Sequence, residues 1–117
     1  MKSNDFNWKD FEGIVVISPG DYLDVRNGIG FKEFVEKKFL GNEEIRSLVL
    51  DLSEVKMIDS FIIGIIVALY KKFQNEEKGF FILCSKESRV EDVLKQYTLD
   101  RIIPIKNDLK EVLEMIR

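Results

Sequence analysis

The chain predicts a single α/β domain built on a mixed, mostly parallel sheet of about five strands with about four helices, opening with a β-hairpin. Three observations lead there. The 117 residues suffice for one hydrophobic core and not for two. Hydrophobic residues make up 45% of the chain and the formal net charge is only -3, a balance that favours a globular fold over disorder. After the hairpin, short apolar runs alternate with segments at helical spacing, and strands separated by helices pair in parallel. No internal repeat, linker or low-complexity segment divides the chain, so residues 1–117 are expected to form one domain.

The elements follow in order. Phe6 and Trp8 alternate with polar residues as far as Glu12 and Gly13, and the run IVVI at 14–17 follows, which reads as a hairpin. Pro19, Gly20 and Asp21 end the second strand, and Asn27, Gly28, Ile29 and Gly30 read as loop chemistry. Phe31, Phe34, Val35, Lys38 and Phe39 fall at helical spacing, giving a first helix closed by Gly41 and Asn42. The run LVLDL at 48–52 is almost continuously apolar, as expected of a central strand covered on both faces. A long helix runs from Asp59 and Ser60 to about Glu77, stopping before Gly79, and FFILC at 80–84 is another buried strand. Ser88 and Glu91 form a capping box for a third helix with Val90, Val93, Leu94 and Tyr97 on its apolar side. The stretch 102–105 is short and contains Pro104, which suits an edge strand. Asn107 caps a last helix whose inward residues are Leu109, Val112, Leu113 and Ile116.

Composition excludes several functions. Lys and Arg are interspersed with Asp and Glu instead of forming one basic face, which argues against a nucleic-acid partner. Histidine is absent and Cys84 is the one cysteine. Those two facts remove Ser-His and Cys-His catalysis, an internal disulfide and a thiolate metal cluster, so no metal and no cofactor is expected. Asp21, Asp24, Asp51 and Asp59 supply carboxylates, but no spacing sets two of them as an acid-base pair. Gly28 and Gly30 lack the remainder of a dinucleotide or P-loop pattern. Cys84, at the end of an apolar strand, reads as an inert core thiol. The chain is not expected to be an enzyme. The N-terminal residues carry no apolar signal core, and the longest apolar run, 61–70, falls short of the ~20 residues needed to span a bilayer. No membrane insertion and a cytoplasmic location are expected.

The helix after Asp59 is the informative one. At 100° per residue, Ile62, Ile66, Leu69 and Phe73 form one stripe, assigned to the core. Ser60, Gly64, Val67 and Lys71 fall on the opposite side, flanked by Phe61, Ala68 and Lys72. A helix lying on a sheet normally carries polar residues there, yet the first two turns are apolar or small. Such a face is covered by a neighbouring helix, by a second copy or by a different protein. Periodicity does not separate the three. Ser60 also has two readings. Ser and Asp are favoured helix N-caps, and composition alone prefers that role. A hydroxyl at a helix N-terminus is also well placed to carry phosphate, because the exposed amides and the dipole stabilise the added charge.

Leu48 to Ser53 as LVLDLS, then MIDS at 57–60, then a helix containing Gly64, resemble the STAS domain of bacterial anti-sigma factor antagonists. That family reads as a hydrophobic strand, a few residues, D-S-S-G-L-G and a helix. The similarity extends to the element order and to residues 93–103. The resemblance implies a partner, an anti-sigma factor that is often also a serine kinase, whose capture frees a sigma factor. It implies that the kinase phosphorylates a serine matching Ser60, ending the interaction, and that a phosphatase resets it. Asp59 matches the family's acidic neighbour of that serine. Asp24 is similar to the aspartate of a G-x-L-D loop, although residues 20–24 carry one extra position. The expected contact residues are therefore Asp24, Asp59, Phe61, Gly64, Val67, Ala68 and Lys71, in a monomer or weak dimer. Phe61 and Ile62 stand where the family has a second serine and a glycine, and Ile63 replaces its leucine. This departure gives weight to an alternative, a non-phosphorylated scaffold or transporter-associated STAS module that holds a fixed partner. LVLD at 48–51 is also similar to the phosphoacceptor strand of receiver domains. Receiver chemistry needs an acidic pair after the first strand to hold Mg²⁺, and none follows residues 14–17, so that reading ranks below.

Overall fold

Two residues with positive φ, Glu12 (56°) and Gly13 (96°), turn the chain back on itself, the geometry that matches the twist of the strands they join. Gly13 is required twice over, since a Cβ there would lie 2.8 Å from the Glu44 carbonyl oxygen. The computed structural model describes residues 6–116. The hairpin comprises β1 (Asn7–Phe11) and β2 (Ile14–Ser18). After it come α1 (Gly28–Phe39), β3 (Ser47–Asp51), α2 (Ser60–Asn75), β4 (Gly79–Leu83), α3 (Arg89–Gln96), a short 3₁₀ turn (Leu99–Arg101), β5 (Ile105–Lys106) and α4 (Leu109–Ile116). The described residues form a five-stranded sheet in the order β1-β2-β3-β4-β5. β1 and β2 are antiparallel and the remaining neighbours parallel, the architecture predicted.

Alternation along the strands divides the core. Val15, Ile17, Leu48, Leu50, Phe80 and Ile82 point to the side of α1, α2 and α3 and belong to the main cluster. Ile14, Val49 and Leu83 point the other way, against Val112 of α4. β3 is covered on both faces, as its continuous apolar run requires. Trp8 stacks edge-on against Phe39, with ring centroids 5.3 Å apart, and Tyr70 stacks against Phe80. Both are rim aromatics.

Several element boundaries differ from expectation for physical reasons. Gly28, Ile29 and Gly30 are helical and not a loop: Gly28 packs closely against α2, which outweighs its low helix propensity, and the first-turn amides need no intrahelical partner. The last strand is only Ile105 and Lys106. Pro104 has no N–H for the sheet, Ile103 is buried in the main core and Ile102 is 49% exposed. Tyr97 is likewise exposed, outside the α3 core stripe. The cap of α4 is Asp108, whose carboxylate accepts from the Lys110 amide at 3.0 Å. Asn107 instead donates to the Cys84 carbonyl at 2.9 Å and to Glu91 at 3.1 Å.

Glu91 forms half of the expected capping box. Its amide donates to Ser88 Oγ at 3.2 Å, but its carboxylate accepts from Glu87 N–H at 2.8 Å, one residue before Ser88. The Asn107 and Glu87 hydrogen bonds hold this buried carboxyl below the usual glutamate range. A depressed carboxyl contributes stability above its unfolded pKa and loses it as pH falls through the folded value. Glu91→Leu is therefore expected to cost about 1–3 kcal/mol in urea unfolding at pH 7, by removing the charge-assisted hydrogen bonds from Asn107 and the Glu87 amide. The same comparison below about pH 4 should show a smaller difference.

Candidate functional site

β2 and β3 are parallel neighbours, so the loops that leave them, residues 19–27 and 52–59, emerge at the same end of the sheet. The loop after β4 joins them there, with Ser85 Oγ donating to the Ser53 carbonyl at 3.2 Å. This end carries the sequence's candidate residues.

Asp59 is the N-cap of α2. Its backbone is extended (φ -132°, ψ -174°) and its carboxylate accepts from the Ile62 amide at 3.1 Å. Ser60, expected from composition to be the cap, is the first helical residue. It is exposed, next to an acid that already serves the helix end. Of the three departures from the family pattern, Ile62 and Ile63 are buried and only Phe61 reaches the surface, 37% exposed. Gly64 and Lys71 are exposed, while Val67 and Ala68 are half-buried. A Cβ on Gly64 would meet nothing within 4 Å. The chain's own packing does not demand this glycine.

Asp24 sits in a loop tied by its own hydrogen bonds. Its carboxylate accepts from the Arg26 amide at 2.9 Å and from the guanidinium at 2.7 Å. The hydrogen bond from the Arg26 side chain, then that from its amide, holds Asp24 below the usual aspartate range. The same guanidinium lies 3.9 Å from the centre of the Tyr22 ring. Gly28, at the start of α1, packs against α2, which brings this loop beside the first turns of that helix. Lower down, Glu36 of α1 accepts from Lys72 of α2 and from Lys32, both at 2.7 Å. Burial alone would raise the Glu36 carboxyl, but the two ammonium groups outweigh it and the net shift is downward. Lys72 is thus engaged, whereas Lys71 points outward.

Sequence reasoning missed the exposed apolar side chains at this end of the sheet. Tyr22 (40%), Val25 (71%), Ile29 (51%) and Met57 (50%) are exposed on the two loops and the start of α1. They lie outside any regular period, so no sequence signal separated them from buried loop residues. Cys84 is buried, and burial pushes its thiol up to about 11, with Glu91 adding in the same direction. It is no nucleophile at neutral pH. Among the described residues no group of three His, Cys, Asp or Glu side chains converges to hold a metal. No helix of the described residues is long and apolar enough to cross a membrane. Asp51 accepts from the Ser53 amide and hydroxyl, closing a loop.

The family model for the STAS domain matches residues 6–112. The chain belongs to the STAS domain family. Among relatives of this STAS domain, an anti-sigma factor antagonist by designation from Thermotoga neapolitana is 38% identical over 112 residues, covering 96% of this chain and 97% of the other. The crystal structure of one so designated from Thermotoga maritima superposes with a TM-score of 0.88 at 34% identity, covering 96% of this chain and 94% of that one. The phosphorylated form of the Bacillus cell fate determinant SpoIIAA shares the fold alone, with a TM-score of 0.73 at 12% identity over 97% of this chain and 100% of that one.

The cap geometry makes two stability predictions for this STAS domain. Asp59→Ala should lower the urea midpoint by the equivalent of about 1 kcal/mol, whereas Ser60→Ala should leave it within about 0.5 kcal/mol. Gly64→Ala should raise stability by about 0.5–1 kcal/mol, because it adds helix propensity in open space. A larger loss from Ser60→Ala than from Asp59→Ala would contradict the cap assignment.

Proposed function

We propose that this STAS domain is an anti-sigma factor antagonist, a cytoplasmic binding protein and not an enzyme, working as a monomer or weak dimer. It captures an anti-sigma factor through the end of the sheet where α2 begins, and so releases a sigma factor for transcription. Asp24, Asp59, Phe61, Gly64, Val67, Ala68 and Lys71 form the contact. Phosphorylation of Ser60, by an anti-sigma factor that is itself a serine kinase, ends the interaction, and a phosphatase restores it.

The observation that carries this reading is the exposure of Ser60 on the first turn of α2, beside an Asp59 that already supplies the cap. Its hydroxyl is not needed to hold the helix. The helix dipole favours added negative charge there, so phosphorylation is compatible with the fold. For a partner the balance is reversed. The neutral surface offers Met57 and the outer edge of Phe61, and a phosphate adds about -1.5 to -2 charges next to Asp59. A partner that buries the apolar side chains must then desolvate that charge. The designations of the Thermotoga relatives support the general role.

Phe61 favours a second reading. A large ring beside Ser60, where the resemblance has a small residue, fits a scaffold with a fixed partner that is never phosphorylated. Two measurements separate the readings. Intact mass after incubation with ATP and the anti-sigma factor kinase of the same organism should show one phosphate on the wild type and none on Ser60→Ala. Ser60→Asp should bind that partner at least about tenfold more weakly than wild type, the scale of one charge placed in a desolvated contact. Equal affinity of Ser60→Asp and wild type would favour the scaffold.

A further inference from the structure

We infer that Phe61 is a positioning residue: seated on Gly28, it locks the Asp24 loop to the first turn of α2, so that the two halves of the contact surface meet the partner as one rigid unit. This rests on the contact surface proposed above and adds to it how the surface is held in shape.

The geometry begins at Gly28. A Cβ there would lie 2.9 Å from Ile65 Cδ1, 3.0 Å from Phe61 Cε2 and 3.1 Å from Ile62 Cδ1. Three side chains from the first two turns of α2 therefore close on one backbone position of α1. Ile62 and Ile65 are buried at 0% and 6% exposure and belong to the main core. Phe61 is different: its ring edge reaches Gly28 while over a third of the residue stays in solvent. The ring lies along the junction of the two elements and does not stand free over Ser60.

Upstream of Gly28 the chain is a small rigid body. The Gly28 amide donates to the Asp24 carbonyl at 2.7 Å and the Asn27 amide to the same oxygen at 3.2 Å. The Asp24 amide donates to Asn27 Oδ1 at 3.0 Å, and Asn27 Nδ2 to the Tyr22 carbonyl at 3.0 Å. Together with the Asp24–Arg26 pair, these bonds make residues 22–28 move together. Leu23 seats this body in the main core, and at its other end Gly28 meets α2 through Ile62, Ile65 and, on the solvent side, Phe61, so displacing Phe61 loosens the Gly28 end of the loop. The two residues compensate one another. A glycine at the start of α1 is a weaker helix former than alanine, and a phenylalanine on the outer face of α2 leaves apolar surface in water. The contact between them accounts for both. It also turns a departure from the family pattern into a determinant of partner choice: the surface at Ser60 carries a ring edge of fixed orientation that a partner must accommodate.

The test uses amide hydrogen exchange on the isolated domain. Phe61→Ser should speed exchange at Gly28 and Asn27 about tenfold, while Phe61→Leu, which refills most of the contact, stays within about threefold of wild type. The β3 amides of Val49 and Leu50 should be unchanged in both. Unaltered exchange at Gly28 in Phe61→Ser, or equal acceleration at Val49 and Leu50, overturns the positioning role. In parallel, affinity for the anti-sigma factor kinase of the same organism should fall about tenfold in Phe61→Ser and recover in Phe61→Leu. A wild type that binds no such kinase, with the exchange pattern as expected, sinks the partner reading and leaves the positioning role standing. Wild-type affinity in Phe61→Ser with a loosened loop overturns the inference that the lock serves the partner.

Discussion

The parallel pairing of β2, β3 and β4 is the constraint on which the rest of the structure depends. Parallel neighbours send their outgoing loops to the same end of the sheet, and here those loops carry Asp24, Asp59 and Ser85. The pairing holds because β3 is buried on both faces, Leu48 and Leu50 toward three helices and Val49 toward α4. Each fully buried aliphatic side chain contributes about 1.5–3 kcal/mol, against about 1 kcal/mol net for an ordinary hydrogen bond. Register is thus set by the core, and the polar links at the sheet end, such as Ser85 to Ser53, refine a geometry the core has already imposed.

The same core explains why α2 has two unlike faces. Its inward stripe of Ile62, Ile66, Leu69 and Phe73 is completely buried and suffices to hold the helix on the sheet. Two positions on its outward face are not explained by folding. Gly64 costs helix propensity with no packing reason, and Ser60 is not the residue that caps the helix. Local choices that stability does not explain point to selection for something outside the chain. Glu36, bridging Lys32 and Lys72, joins α1 to α2 in their C-terminal halves, and Gly28 does so near their N-termini. The candidate surface therefore spans a junction closed at both ends.

Much of this was legible in the sequence, because period and burial obey the same geometry. The near-continuous run at 48–52 announced the central strand, and 3.6-residue spacing identified the buried stripe of α2 and its opposite face. What stayed hidden turns on single positions. Asp59 and Ser60 are both good caps, and only the backbone shows that the helix begins after the aspartate. Asn107 and Asp108 pose the same ambiguity, decided by Asn107 being drawn to Cys84 and Glu91. Gly28 and Gly30 read as loop because propensity is local, while the packing that seats Gly28 at the helix start comes from a helix more than thirty residues away. The exposed side chains of Val25, Ile29 and Met57 follow no period and became visible only when two loops were brought to one end.

The central claim is that the end of the sheet holding Ser60 and Asp24 is where the partner docks. It is tested most directly by titrating the ¹⁵N-labelled, unphosphorylated domain with the unlabelled anti-sigma factor kinase of the same organism and following the backbone amides. The account predicts shifts or broadening concentrated at Asp24, Asp59, Ser60, Phe61, Gly64, Val67, Ala68 and Lys71, with α4 and the β1-β2 hairpin unaffected. Perturbations centred on Phe11, Leu109 and Leu113, on the opposite face of the sheet, would contradict it.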